Sequence, residues 1–447
     1  MVNPTRVLHL AAAPWRSILH AQRQEYALTL AREVARRVAD PRKLTDARRS
    51  TDRLSRRSYG HPYDIATGDA GLAVMSGYAN MCLPGEGWDA VAHEFLETSV
   101  RNLERCNDVH YGLFGGMSGL AFGAESLSQG GKRYRKLMDA LDLKLAPGAT
   151  FLGSQLRCRA GPGPVEAFDQ ISGASGVAAY LLRRDEHGVL PEILRGLVAL
   201  AEERDGMPQW WTPHKHMSDE AMASSYPAGV LNCGIAHGIA GPVAVLALAL
   251  NEGSRVPGQY ESLRAFSDWL VAHRIDDQLG AGWPGVVPID LADSEAFGYR
   301  RALNRIGWCY GTPGVARALW LAGEALDDHR LRTSALEAMY AVLRRPMSER
   351  RPESLMLCHG LAGLLQIVLR FWHDTHLSTF STAATDIVDE LIAAYQPRRP
   401  LAYASVEQGG RTFDRPGLLN GAPGVAMALF AAATDAEPSW DRLLLLS

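Results

Sequence analysis

The sequence predicts an all-α protein folded as a ring of seven helix pairs, and three observations carry that reading. A G-x-x-G motif recurs seven times, at Gly68/Gly71, Gly116/Gly119, Gly173/Gly176, Gly238/Gly241, Gly311/Gly314, Gly360/Gly363 and Gly421/Gly424. Each motif is followed by a stretch that is apolar or small on nearly every face. Between the motifs lie segments with a single apolar stripe at helical spacing. The first glycines are separated by 48, 57, 65, 73, 49 and 61 residues, a repeat with variable insertions.

The stretches after the second glycines, such as G-P-V-A-V-L-A-L-A-L from Gly241 and G-V-A-M-A-L-F-A-A from Gly424, are greasy all round. A helix of that kind is buried on every face and belongs inside the ring. The striped segments are its outer partners: Leu263, Phe266, Trp269 and Leu270 share one face, as do Leu336, Met339, Tyr340 and Leu343, and Ile387, Val388, Leu391, Ile392 and Tyr395. Outer helices are expected near 24–39, 90–105, 133–143, 190–203, 259–273, 327–345 and 383–396, seven for seven inner ones. All the G-x-x-G turns then lie at one end of the inner helices. Crowding around one axis asks there for residues with no Cβ, free φ and close backbone approach.

No composition break marks a second domain. The expected organisation is a loose N-terminal arm over 1–23 and a single ring over 24–447. A small inserted element is possible around 144–168, and the loops at 205–230 and 276–304 are long enough to serve function. The first 24 residues carry Arg6, Arg16 and Arg23 and no acid, but Pro14 and Trp15 interrupt their short apolar stretch.

Composition narrows the function. Of 447 residues 47% are hydrophobic and 21% charged, with 46 Lys+Arg against 49 Asp+Glu for a net charge of −3, so no basic excess argues for nucleic acid. Forty-three glycines exceed the average usage of about 7%. Six cysteines (Cys82, Cys106, Cys158, Cys233, Cys309, Cys358) are too few for a disulfide scaffold and fit free thiols or metal ligands. No run reaches the 18 or so apolar residues of a membrane span. A cytoplasmic protein without a membrane anchor is expected.

The chemistry lies beside the glycines. Cys309 and Cys358 occupy the same position, two residues before the first glycine, in consecutive repeats, and His359 follows directly. A ring places them at neighbouring points of its mouth. Two cysteines and a histidine are the ligand set of a zinc site that keeps its fourth tetrahedral position open, the mark of catalysis, whereas structural zinc closes with four protein ligands. One Zn²⁺ per chain is expected. With two thiolates and a neutral imidazole the site is formally neutral, and an added substrate thiolate would make it −1, ionised yet still nucleophilic. Cys233, four residues before His237, is a competing fourth ligand or a packed thiol. The pairs His214/His216 and His373/His376 lack a third partner in their own segments.

His237 stands just before the glycine of the fourth repeat, next to the cysteine loop of the fifth, where it can give or take a proton. Asp169 precedes its repeat glycine by four residues and Arg305 by six, so both can approach the mouth.

N-C-G-I-A-H-G-I-A-G (232–241), G-W-C-Y-G-T-P-G-V (307–315), L-C-H-G-L-A-G (357–363) and L-N-G-A-P-G-V-A (419–426) together resemble the lanthionine synthetase C-like family, specifically the stand-alone lanthipeptide cyclases of bacterial class I pathways. The resemblance runs from about residue 60 to the end. It implies an α/α toroid with a central zinc that cyclises a dehydrated precursor peptide: a peptide cysteine adds to dehydroalanine or dehydrobutyrine, giving a (methyl)lanthionine thioether. It implies that Cys309, Cys358 and His359 are zinc ligands, that His237 is the active-site histidine, and that Asp169, Arg305 and Tyr310 lie near the metal. His237 would protonate the enolate, Asp169 orient His237, and Arg305 stabilise the enolate oxygen. The resemblance further implies a leader-bearing peptide substrate, a separate dehydratase, a peptide exporter at the membrane and antibiotic biosynthesis as the setting. Two other readings remain: a peptide-binding scaffold whose structural zinc takes Cys233 as fourth ligand, and another thiol-alkylating zinc toroid of the prenyltransferase type.

Overall fold

The computed structural model describes residues 14–54, 60–159, 161–204, 206–290, 305–346, 354–406 and 411–447, the side chains of 52–54 excepted. Residues 1–13 of the expected 1–23 arm, and part of the 276–304 loop, lie outside them.

Among the described residues the helices follow the repeat. The chain runs through outer helix α1 (Ala21–Ala39) and α2 (Pro41–Leu54), then alternates inner and outer: α3 (Asp69–Cys82), α4 (Trp88–Glu104), α5 (Met117–Ser126), α6 (Arg135–Cys158), α7 (Ala174–Leu181) and α8 (Leu190–Ala199). After a short α9 (Glu220–Ser225) come α10 (Ala240–Asn251), α11 (Gln259–Ala272), α12 (Thr312–Ala325), α13 (His329–Arg344), α14 (Leu361–Thr375), α15 (Ser378–Ala393) and α16 (Ala422–Ala433). Each inner helix packs on the outer helix that follows it, except the last: α16 packs on α1, so the first helix completes the ring. The inner helices also touch in sequence, and α16 returns to α3. The result is an α/α toroid with seven helices inside and seven outside.

Burial follows the pattern that chose the elements. Every residue of α16 from Ala422 to Ala433 is buried. Outer α8 buries Leu190, Ile193, Leu194 and Leu197 as one stripe, with Gly196 and Ala199 beside it, and leaves Pro191, Glu192, Arg195 and Val198 half-buried.

At the mouth, the residue two before the first glycine of each motif joins a circuit of main-chain hydrogen bonds. Ala66 N–H donates to Phe114 O (3.3 Å), Phe114 to Ile171 (3.0 Å), Gln170 to Ala236 (2.9 Å), Ala236 to Cys309 (3.3 Å), Cys309 to Cys358 (3.1 Å), Cys358 to Leu419 (3.1 Å), and Leu419 back to Ala66 (3.1 Å). One bond per repeat closes the girdle, with a one-residue step at Ile171/Gln170.

The girdle explains the second glycine. A Cβ there would strike the carbonyl oxygen of the residue six before it, in all seven repeats, from Ile65 at Gly71 to Leu418 at Gly424. The chain that carries the girdle lies directly on the start of the inner helix, and only hydrogen fits between. Backbone φ is not the reason: the first glycines that cap their helices are extended, with φ of −97° at Gly68 and −137° at Gly360, and only Gly311 has positive φ, at +146°. Of the steric reasons expected, close approach is the general one.

Three features go beyond the expected scheme. The 144–168 stretch extends outer helix α6 to Cys158, carrying Pro147 within it. The carbonyl that Pro147 leaves unbonded belongs to exposed Leu143, where water can serve it. The segment before α1 is pinned from Trp15 onward: its indole donates to Ala431 O at 2.9 Å and stacks on His373 at 3.7 Å. Short antiparallel strand pairs punctuate the long loops: β1 (Glu203–Arg204) with β2 (Met207–Pro208), β3 (Val230–Asn232) with β6 (Val286–Pro288), β4 (Ile275–Asp277) with β5 (Gly280–Gly282), and β7 (Ser405–Val406) with β8 (Thr412–Phe413).

The axis below the mouth is filled by residues 436–446. Tyr78 donates to Ala436 O (2.8 Å), Arg370 grips Asp441 with two bonds (2.6 and 2.9 Å), and Gln170, Trp308 and Arg317 donate to the carbonyls of Leu443, Leu444 and Leu446. Those partners come from the first, third, fifth and sixth repeats, so the segment ties opposite walls together. Leu443 to Leu446 are buried.

Two alanine substitutions in one helix test the role of close approach. Gly119→Ala drives a Cβ into Leu113 O and should cost about 1–3 kcal/mol. Gly123→Ala, whose Cβ would meet nothing nearer than 3.6 Å, should be neutral or gain up to about 1 kcal/mol from helix propensity. Thermal unfolding should separate the pair in that order; equal midpoints would contradict it.

Candidate metal centre

The girdle makes Cys309 and Cys358 immediate neighbours, and the ligand atoms of Cys309, Cys358 and His359 lie within 4.8 Å of one another. Among the described residues no other trio of His, Cys, Asp or Glu gathers so closely. Cys309 is buried, Cys358 half-buried and His359 exposed, so the cluster opens to solvent on the histidine side. Gly307 makes room for it: a Cβ there would come within 3.0 Å of the Cα and Cβ of His359. Trp308, between Gly307 and Cys309, is fully buried and fixes the loop through its indole bond to Leu444 O.

The donor set fits zinc. Tetrahedral bonds of about 2.3 Å to sulfur and 2.0 Å to nitrogen put ligand atoms roughly 3.5–3.8 Å apart, within a small adjustment of the spacing found. Two thiolates and an imidazole are soft enough to select it, and three protein donors leave one position free. The thiols are already polarised. A hydrogen bond from Cys358, with His359 beside it, holds the Cys309 thiol well below the ordinary thiol range, while the same bond and burial push Cys358 well above it. Cys233 stands outside the cluster, and burial alone pushes its thiol up. It is a packed thiol.

His237 borders the cluster because Ala236 is hydrogen-bonded to Cys309 in the girdle. Its Nδ1 donates to Asp169 Oδ2 at 2.7 Å, which leaves Nε2 as the exchangeable face. Asp169 is wholly buried, and its other oxygen accepts from the backbone N–H groups of Ser172 (2.7 Å) and Gly173 (2.9 Å). One carboxylate thus caps the third G-x-x-G turn and orients the histidine of the fourth. Burial opposes the imidazolium, but the Asp169 hydrogen bond and charge, with smaller contributions from Cys309 and Glu166, outweigh it and raise the His237 pKa.

Tyr310 stacks on His237 with ring centroids 5.7 Å apart, and the Arg305 guanidinium lies 5.9 Å from the Tyr310 ring centre. Burial pushes the Tyr310 phenol up to about 12, so it stays protonated. All seven residues singled out from the sequence therefore gather in two linked groups, the Cys/His trio and the Asp169–His237–Tyr310–Arg305 row. The other histidine pairs do not join them. His373 packs against Trp15 and is held down to about 4, mainly by burial, and His214 and His216 sit in a turn with no third donor. Two participants were missed. Asn232 donates to the Tyr310 hydroxyl at 3.0 Å, and its place two residues before Gly234, the pattern of an Asx turn, was the available signal. Glu166 acts on His237 from the loop before Asp169, and nothing in its spacing points to that.

The family model described as lanthionine synthetase C-like protein matches residues 60–445. The nisin biosynthesis protein NisC of Lactococcus lactis subsp. lactis is 24% identical over 340 residues, covering 73% of this chain and 79% of that protein. The solved structure of a nisin cyclase superposes with a TM-score of 0.72 at 20% identity, covering 94% of this chain and 98% of that one, a likeness of fold.

Because Asp169 is what holds the His237 pKa up, Asp169→Asn leaves burial dominant, and the imidazole should lose its proton at lower pH than in the parent protein. The ion pair's stability is present below the pKa of a free histidine and is lost as pH rises through the raised value. Histidine NMR titration of the two proteins reads the shift; an unchanged or higher midpoint in the variant would contradict the pairing.

Proposed function

The chain belongs to the lanthionine synthetase C-like family, and on that footing we propose that it is a zinc-dependent lanthipeptide cyclase, a carbon–sulfur bond-forming enzyme that closes thioether rings in a dehydrated precursor peptide. The observation that carries the reading is the convergence of Cys309, Cys358 and His359 on one point beside the Asp169–His237 pair, at a mouth open to solvent.

Cys309, Cys358 and His359 would hold the metal. Zinc bound there supplies the Lewis acidity that ionises a peptide cysteine near neutral pH. In the addition the thiol proton is released to solvent, sulfur bonds to the β-carbon of the dehydroamino acid, the alkene pair shifts to the bond between the α-carbon and the carbonyl carbon while the carbonyl π pair moves onto oxygen as an enolate, and a proton returns to the α-carbon. His237 is suited to that last step: Asp169 holds Nδ1 and favours the charged ring by raising its pKa, which leaves Nε2 for proton transfer. Arg305 and the Tyr310 hydroxyl are the donors for the enolate oxygen.

The donor trio also weighs against the two other readings. A structural zinc needs a fourth protein ligand, and Cys233 is not in the group. A prenyltransferase-type site draws on an aspartate, and no carboxylate belongs to the trio.

The substrate under this proposal is a leader-bearing precursor peptide, dehydrated by a separate dehydratase and passed on to a peptide exporter, with the cyclase acting in the cytoplasm or at the membrane surface through that complex. No helix among the described residues is long and apolar enough to cross a membrane.

Incubating the zinc-loaded protein with a dehydrated, cysteine-containing precursor and counting alkylatable thiols by mass tests the proposal. Thiols should disappear one per ring; cysteines that all remain free would overturn it. Cys309→Ala and Cys358→Ala should lose the metal and all activity. His237→Asn should keep the metal and lose roughly 10²–10⁴-fold in turnover; undiminished turnover would remove His237 from the proton-transfer role.

A further inference from the structure

Asn232, at the end of β3 and only 4% exposed, holds the hydroxyl of Tyr310 in a way that turns its proton away from Asn232. Asn232 Nδ2 donates to Tyr310 Oη at 3.0 Å, while Asn232 Oδ1 accepts from the Gly234 N–H at 2.9 Å. The second bond identifies the two ends of the amide, because an NH₂ group cannot accept from a backbone N–H. The seat is rigid. Asn232 pairs with Val286 in the β3–β6 ladder, and a Cβ on Gly238 would overlap the backbone oxygen of Asn232 and approach its Oδ1 to 2.5 Å.

A phenol has one proton to give and lone pairs to receive. Asn232 takes up the receiving side of Tyr310 Oη and offers no acceptor of its own there, so the O–H must be directed elsewhere. Among the described residues no acceptor is hydrogen-bonded to it, and the Tyr310 ring itself lies against His237, beside the cluster. We propose that Asn232 is a positioning residue of the cyclisation: by donating to Tyr310 Oη it aims the Tyr310 O–H at the enolate oxygen that forms on the substrate. The hydrogen bond stabilises the charge without transferring the proton; the α-carbon receives its proton from His237. This inference rests on the cyclase reading above, and it adds a residue two steps removed from the metal that touches neither zinc nor substrate.

Asn232→Asp is the discriminating variant. The carboxylate is nearly isosteric, keeps the bond from the Gly234 N–H, and accepts from Tyr310 rather than donating to it, which turns the phenol proton away from the substrate. Ring formation by zinc-loaded parent protein, Asn232→Asp, Tyr310→Phe and the double variant should be followed at saturating and limiting peptide, with zinc content and thermal midpoint measured on each. Asn232→Asp and Tyr310→Phe should each lower kcat roughly 10–100-fold, below or near the loss typical of one oxyanion donor. KM, zinc content and thermal midpoint should stay near the parent values, and the double variant should be no slower than Tyr310→Phe alone. Parental kcat in Asn232→Asp, or losses that multiply in the double variant, would overturn the inference. Parental kcat in Tyr310→Phe, which leaves the Asn232 seat intact, would overturn it even if the aspartate variant failed to fold. A parent protein that forms no rings would overturn the cyclase reading and this inference with it, whereas a parent that does so with an unaffected Asn232→Asp would overturn this inference alone.

Discussion

Seven main-chain hydrogen bonds, one from each repeat to the next, close a girdle across the mouth of the toroid, and the positions of the reactive side chains follow from it. A backbone N–H and C=O taken out of water must find partners. Here each loop supplies the partner for its neighbour, so no loop can shift without unpairing two others. Cys309 and Cys358 are themselves girdle residues, bonded to each other through the main chain, and their thiols meet because their backbones do. His359 and His237 each stand one residue further on. The glycines are the steric condition for this arrangement: the segment carrying the girdle lies flat on the first turn of its inner helix, with the carbonyl before each girdle residue pressed against the second glycine.

The remaining architecture keeps that mouth at fixed radius. Helix α1 pairs with α16 and completes the outer wall. From the opposite end residues 436–446 enter the axis, where the Tyr78 bond to Ala436, the Arg370–Asp441 pair and the bonds to Leu443, Leu444 and Leu446 link four repeats. Burying that ion pair is tolerable because it is bidentate and Gln366 supplies a further donor to Asp441. Asp169 serves twice at the site: a single buried carboxylate completes a turn and raises the pKa of a histidine, so turn geometry and histidine pKa are coupled.

Much of this was legible in the sequence because the repeat writes itself in steric terms. Only glycine fits the close approach, so fourteen glycines marked seven turns, and all-round apolar stretches distinguished inner from outer helices. The Cys309/Cys358 match was readable because equivalent repeat positions become adjacent ring positions. What escaped has no periodic signature. Asn232 works through a tertiary contact with Tyr310, 78 residues away, and its only local mark is an Asx turn. The axial segment reads as an ordinary short apolar stretch, since its partners are single polar side chains scattered over the inner wall. Helix α2 is strongly polar, and the short strands depend on pairings across long loops, as between β3 and β6. The free-φ argument for the glycines applied at Gly311 and not as the rule.

The central claim is that the girdle presents two cysteine sulfurs and one histidine nitrogen to a metal with one position left for the substrate's thiol. X-ray absorption at the zinc edge, recorded with and without a dehydrated, cysteine-containing peptide, addresses it directly. The account predicts two sulfur ligands in the resting protein and three once the peptide is bound. A sulfur count above two at rest, or one that the peptide leaves unchanged, would contradict it.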